Sequence, residues 1–267
     1  MKYIFLLLFI TFELFAGALK TKLLSVDNAN NRATISVDKI DVGVSGFAYH
    51  FITPNHSSIL KNAEVIAFDV KTNIATLALS PYNGLKNNSL PSGKWKLVAG
   101  DEVLLAFAYS RSLLVAPSEE IYHFITQGVK TEWVHPDLYA TILSYRGHPT
   151  PLKEDFEAMR VATNVGLLFI YLNQKLYMLD MKSFKILNIS DADLVQDSVK
   201  LPFYSRIEEI EANWFGDGND ELESYEPYYY ELLIHYNKTN RNLYENIKNG
   251  DEKLHYLLKE FTLGDTK

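Results

Sequence analysis

The sequence predicts an α+β protein in three parts: a small N-terminal β-barrel-like domain, an α+β middle domain with a β-hairpin, and a helical C-terminal segment. Three observations carry this. About seven short alternating segments, separated by Gly, Pro and Asn clusters, fill residues 21–116, the rhythm of a small barrel or a sandwich. From Pro117 the texture shifts to capped helical segments interleaved with strands. After Glu208 the apolar residues recur at helical spacing. The division is 1–18 as signal peptide, 19–116 as the barrel-like domain, 117–210 as the α+β domain, and 211–267 as an acidic and then helical segment.

The elements follow in order. Met1-Lys2, the apolar run 3–10 and Ala16-Gly17-Ala18 form a signal-peptide pattern, with cleavage after Ala18 and Ala16 as second choice. Glu13 interrupts the run before it reaches membrane-spanning length. Residues 21–27 and 32–37 alternate around the turn cluster Asn28-Ala29-Asn30-Asn31. Gly43 and Gly46 bracket a bend into a strand at 47–53, which Pro54-Asn55 ends. Residues 63–70 and 74–79 flank Lys71-Thr72-Asn73 as a hairpin. Residues 103–108 and 112–115 complete the barrel-like set. Ser118 caps a helix at 119–127, Pro136 opens one to Tyr145, and Thr150-Pro151 opens a third to about Ala162. Residues 165–172 and 175–179 make a hairpin, with 185–189 as a third strand. Leu222, Tyr225, Tyr229, Leu232, Leu233 and Tyr236 lie on one helix, and residues 243–261 form another.

Composition excludes several classes of function. The chain has 267 residues and no cysteine, so disulfides, thiolate metal sites, Cys nucleophiles and a lipoprotein anchor are excluded. A net charge of -7 repels phosphate backbones and argues against nucleic acid as partner. Beyond the leader no run is long and apolar enough to span a bilayer, so the mature chain carries no transmembrane segment.

A search for chemistry yields little. His50 and His56 lie near one strand end, with Glu64 or Asp69 as conceivable further metal ligands, but ordinary hydrogen bonding is the better reading. His135 leads into a helix and His148 into a loop. No Gly-x-Ser-x-Gly elbow supports a Ser/His/Asp triad. Gly43-Val44-Ser45-Gly46 lacks the Lys-Ser/Thr of a phosphate loop. Asp217, Asn219 and Glu221 miss the spacing of a calcium loop. Glu208, Glu209 and Glu211 read as a solvated face. No cofactor, metal site or catalytic residue is expected. The run Tyr228-Tyr229-Tyr230, set among nine acids with no Lys or Arg between residues 208 and 231, is the expected partner surface.

An ordered set of motifs adds to this. It includes Gly43-Val44-Ser45-Gly46-Phe47 leading to His50, Gly100-Asp101-Glu102-Val103-Leu104-Leu105, and Arg111-Ser112-Leu113-Leu114-Val115-Ala116-Pro117. Trp133-Val134-His135-Pro136-Asp137-Leu138, Lys175-Leu176-Tyr177-Met178-Leu179-Asp180 and Leu201-Pro202-Phe203-Tyr204-Ser205-Arg206 continue it, and Glu209-Ile210-Glu211-Ala212-Asn213-Trp214-Phe215 closes it. From about Lys20 to about Leu233 the chain resembles the N-terminal domain of the plasminogen-binding protein PgbA family of Helicobacter-type bacteria. The resemblance implies a Gram-negative envelope or cell-surface location. It also implies binding of host plasminogen, whose kringles grip lysine side chains, and no catalysis. Members of that family continue into long Lys/Glu-rich tails, whereas here only a short stretch leads to Lys267. Lys267 is therefore the lead plasminogen contact, since a terminal lysine joins an ammonium and a carboxylate on one residue. Lys253 and Lys259 are minor candidates. The competing expectation is a periplasmic structural or assembly module that keeps the fold without meeting host protein.

Overall fold

The computed structural model describes residues 17–84, 95–194, 197–214 and 216–263. Most of the predicted signal peptide lies outside these residues, as does Lys267. Six strands close an antiparallel barrel: β1 (Leu19–Asp27), β2 (Arg32–Ser36), β3 (Ser45–Thr53), β4 (His56–Asp69), β5 (Ile74–Pro81) and β6 (Glu102–Leu105). Their order is β1-β2-β5-β4-β3-β6, with β6 pairing back to β1. The barrel is thus the better of the two architectures that the alternation allowed. Inside it, Ala33, Ala48, Ala63 and Ala75 stand among larger aliphatics such as Ile35 and Leu77, all buried. Small residues between large ones let side chains from every strand meet without overfilling a narrow interior.

The bend before β3 explains its glycines. Gly43 has φ 101°, a left-handed conformation that a side chain would strain. A Cβ at Gly46 would lie 2.0 Å from the Leu104 carbonyl oxygen, so β3 and β6 approach closely only because this position is bare.

The second sheet has the order β11-β10-β9-β7-β8. Its strands are β7 (Arg111–Val115), β8 (Glu132–Val134), β9 (Leu167–Leu172), β10 (Lys175–Asp180) and β11 (Ile186–Asp191). β7 runs parallel to β8 and to β9, while β9, β10 and β11 form an antiparallel meander. The sequence reading put β7 with the barrel and did not register β8. β7 joins the second sheet because the helix α1 (Glu119–Gly128) returns the chain as a crossover, which is what a parallel neighbour requires. Ser118 caps α1 by accepting from the Ile121 N–H at 3.4 Å.

The sheet is the middle layer of the molecule. Leu167, Phe169 and Tyr171 of β9 face a core shared with the barrel and α1. Leu168, Ile170 and Leu172 face a second core. That core is covered by α2 (Pro136–Arg146), α3 (Lys153–Thr163), α4 (Tyr225–Tyr236), α5 (Arg241–Lys248) and a 3₁₀ helix (Glu252–Glu260). The helix expected over residues 243–261 is therefore two short elements, broken where Asn249 ends α5 and Asp251 caps the next turn. α3 begins later than Thr150: the Asp155 carboxylate, buried within its first turn, accepts from the Leu152 N–H at 2.7 Å.

Asp180 fastens the two sheets. Its Oδ2 accepts from the Ser45 N–H (3.0 Å), the Ser45 hydroxyl (2.7 Å) and the Tyr109 hydroxyl (2.7 Å). Its Oδ1 accepts from the N–H groups of Lys182 (2.9 Å) and Ser183 (2.7 Å). Five donors surround this buried carboxylate, which compensates its loss of water. Burial beside Asp180 pushes the Tyr109 phenol well above its usual range.

Candidate functional site

The C-terminal elements build the lysine-bearing face. α4 buries Tyr225, Tyr229, Tyr230, Leu233 and Ile234 against the sheet. Asn240 starts α5 by accepting from the Leu243 N–H at 2.9 Å. Asp251 starts the 3₁₀ helix by accepting from the Lys253 N–H at 3.0 Å. Leu254 and Leu257 turn inward, which leaves Lys253 and Lys259 outward. The Thr262 N–H donates to the Lys238 carbonyl at 3.0 Å and ties the segment back to the end of α4.

Between α4 and the 3₁₀ helix lies a groove of about 370 Å³, edged by Glu231, His235, Lys238, Tyr256, Lys259 and Glu260. The Tyr256 hydroxyl donates to Glu231 Oε1 at 3.0 Å, and burial together with this carboxylate raises its pKa. Lys259 Nζ stands 4.0 Å from Glu260 Oε1, and the Lys259 side chain is 73% exposed. An exposed pair at this distance is held by about 0–1 kcal/mol. The ammonium is therefore free to leave it for a stronger partner, while the carboxylate beside it supplies the opposite charge.

Other lysines are more firmly engaged. Lys185 donates to the Tyr236 carbonyl at 2.5 Å, and Lys200 donates to the carbonyls of Ser205 (2.5 Å) and Ile207 (2.8 Å). Lys153 sits 4.5 Å over the ring of Tyr236. Periodicity in the sequence finds the outward face of the 3₁₀ helix but not which cations the fold has already engaged.

The tyrosine run is not a partner surface. Tyr229 and Tyr230 are buried, and the Tyr228 hydroxyl donates to the Pro151 carbonyl. Tyr229 donates to the Pro202 carbonyl at 2.9 Å, so its hydroxyl is satisfied inside the core. Burial raises the phenol pKa of all three. A helix that packs one face on the sheet and flanking faces on α3 and the loop at residues 201–203 buries consecutive positions, which a single-stripe reading misses. Trp133 packs on Phe169, whereas Trp214 is 91% exposed.

Four histidines, His50, His56, His135 and His148, have hydrogen-bond partners. His50 Nδ1 lies 2.8 Å from Asp101 Oδ1, and Asp101 Oδ2 also accepts from the Val98 N–H at 2.8 Å, so the carboxylate joins β3 to the turn before β6. The sequence held no sign of this pair, because the residues are 51 positions apart. His56 pairs with Thr53 at 2.9 Å. His135 Nδ1 accepts from the Asp137 N–H at the start of α2, and burial lowers its pKa. His148 bonds the buried Asp155 together with Arg146. Among the described residues no group of three or more His, Asp or Glu could hold a metal ion, and no helix is long and apolar enough to cross a membrane. Thr150 fastens the acidic loop by donating to the Gly218 carbonyl from its N–H and to the Asp220 carbonyl from its hydroxyl.

Comparison with known proteins identifies the family from a region that ends before the 3₁₀ helix of this face. The family model described as plasminogen-binding protein PgbA N-terminal matches residues 18–233. Two relatives are named plasminogen-binding protein PgbA, from Helicobacter pylori strains J99 and 26695. Each is 26% identical over 198 residues, which cover 73% of this chain and 43% or 42% of the relative. The chain thus spans less than half the length of the curated relatives it matches. No solved structure matches it.

Proposed function

The chain belongs to the plasminogen-binding protein PgbA N-terminal family, and from that premise we propose that it is an exported, non-enzymatic protein of the cell envelope that binds host plasminogen by presenting lysine to its kringles. The observation that carries the reading is the family match joined to an exposed, weakly held ammonium–carboxylate couple at Lys259 and Glu260. A lysine-gripping site needs both charges and an aromatic trough of its own. Lys267 is a second candidate lysine.

The test is plasminogen binding to the chain from residue 19, to the same chain without Lys267, and to Lys259→Ala, each with and without a free lysine analogue. The reading expects saturable binding that the analogue abolishes, and a loss of about tenfold or more in whichever variant removes the gripped lysine. No binding by the intact chain ends the proposal.

A second reading has one observation in its favour. The matched region covers only 43% of the first relative, so that protein's plasminogen contacts can lie outside it. The chain is then a periplasmic structural or assembly module. Protease treatment of intact cells separates the two: cleavage of this chain supports surface display, and full protection supports the periplasm.

A further inference from the structure

A second site lies where the barrel meets the sheet. A cleft opens between the start of β3, the β6–β7 corner, the end of α3 and the β10–β11 turn. Its interior is about 20 Å³, room for roughly one water-sized group. That is too little for a whole small-molecule ligand and enough for a charged head.

Two cations line it. Lys182 reaches in from the β10–β11 turn, with its ammonium 4.9 Å over the ring of Phe47. It has three N–H donors and gives one to the Asn62 amide oxygen, a neutral partner. Arg160 enters from α3 and donates to Glu157 from Nε (2.7 Å) and Nη2 (2.6 Å). A guanidinium carries five N–H donors, so this pairing does not exhaust it.

Three acids lie near the cations, each with partners of its own. Glu157 holds Arg160, and Asp180 already accepts five hydrogen bonds. Burial raises the half-buried Glu64 carboxyl, which is countered first by Lys185. Burial, and next the charge of Arg160, lowers Lys182 to about 8. The half-buried Lys182 ammonium has Asn62 as its hydrogen-bond acceptor, while Glu157, Asp180 and Glu64 act on it through charge, so a carboxylate brought within bonding distance adds a charge-assisted bond.

The rim has the opposite character. Phe47 meets Phe107 edge-on at 5.4 Å and Tyr82 edge-on at 5.4 Å, and Phe107 is 41% exposed. Two wall residues have left-handed backbone: Ala108 at φ 63°, with Ala106 just before the wall at 55°, and Asn164, the C-cap of α3, at 54°. Left-handed alanines are rare and concentrate where a structure holds a site in shape.

We propose that this cleft is a carboxylate-binding site, in which Lys182 and Arg160 take one carboxylate head and Phe47 and Phe107 take the apolar body attached to it. The ligand is either a free apolar carboxylate or the C-terminal carboxylate of a polypeptide ending in an apolar residue. Nothing in this depends on plasminogen.

The test uses the chain from residue 19 with four probes followed by saturation-transfer NMR: phenylacetate, phenethylamine, an N-acetylated dipeptide ending in Phe, and the C-terminal amide of that dipeptide. Saturable binding of phenylacetate or of the peptide acid, with no binding of phenethylamine or the amide, is expected. Preference for phenylacetate identifies a small acid, and preference for the peptide acid identifies a polypeptide terminus. Lys182→Gln is expected to weaken binding by about tenfold or more, the loss of one charge-assisted bond, while keeping a cooperative thermal transition. Should that variant fail to fold, protection of Lys182 in the unaltered chain decides: phenylacetate must slow its acylation by acetic anhydride, read by mass spectrometry. Equal binding of acid and amine probes, absence of saturable binding, or acylation of Lys182 indifferent to phenylacetate overturns the proposal.

Discussion

The barrel and the second sheet use strands in different ways. Barrel strands are half-buried: β2 reads exposed, buried, intermediate, buried, exposed. β9 is buried at all six positions. In the barrel one face of each strand meets a single interior and the other meets water. In β9 alternate residues serve two separate cores, one shared with the barrel and one with the helices. A strand between two cores has no tolerant face, while a barrel strand has one. The connection between the regions is apolar through that shared core and polar through Asp180.

The comparison is most strongly tested at β9. Phe169→Ala is expected to cost about 3–5 kcal/mol in urea denaturation, because it opens a cavity in a layer packed on both sides. In the barrel, Leu77→Ala is expected to cost about 2–5 kcal/mol. A cost at Leu77 well above that at Phe169 breaks the contrast. Asp180→Asn comes next, at about 1–3 kcal/mol, since an amide cannot accept from all the donors that face Oδ2. The barrel and sheet should then separate in a denaturant titration followed by two probes, whereas coincident transitions mean that apolar contact alone couples them.

Lys182→Met sharpens the account of the junction. The Lys182 pKa is lowered from 10.5 to about 8 in the folded chain. Between these values the unfolded chain binds the proton that the folded chain has lost, so stability contributed by this group rises with pH across that window. Below pH 8 the buried charge opposes folding in full. Lys182→Met is therefore expected to be more stable than the unaltered chain at pH 7, with the gain fading as pH approaches 10.5, as read by denaturant midpoints at both pH values. A gain independent of pH assigns the effect to packing. The smallest change is at Lys259. Its removal should leave stability within about 0.5 kcal/mol and act on plasminogen binding alone.

Much of the fold is legible along the chain. Alternation at residues 32–37 and 74–79, the turn at Lys71-Thr72-Asn73 and the hairpin of β9 and β10 all follow from local pattern. So do α1 behind Ser118 and α2 behind Pro136. The same patterns misplace β7, because a strand of five residues carries no mark of its sheet. They also leave the tyrosine run ambiguous. Helical spacing shows that Tyr229 and Tyr230 share a helix with Leu233, but not that the helix is covered on more than one side. The site is less legible than the fold. The outward Lys253 and Lys259 are foreseeable, whereas the groove beside them needs α4 and the 3₁₀ helix to meet.

The sequence by itself determined the period of each segment, its caps and turns, the absence of thiol chemistry and the family, since these depend on residues near one another or on an ordered run of them. Tertiary structure alone decided the closure of the barrel, the sheet that β7 enters, the pairing of His50 with Asp101, and the convergence of Ser45 and Tyr109 on the Asp180 junction. Those contacts join residues tens to more than a hundred positions apart. Side chains so distant in the chain become neighbours only when hydrophobic burial brings their elements together, and local pattern carries no record of which elements will meet.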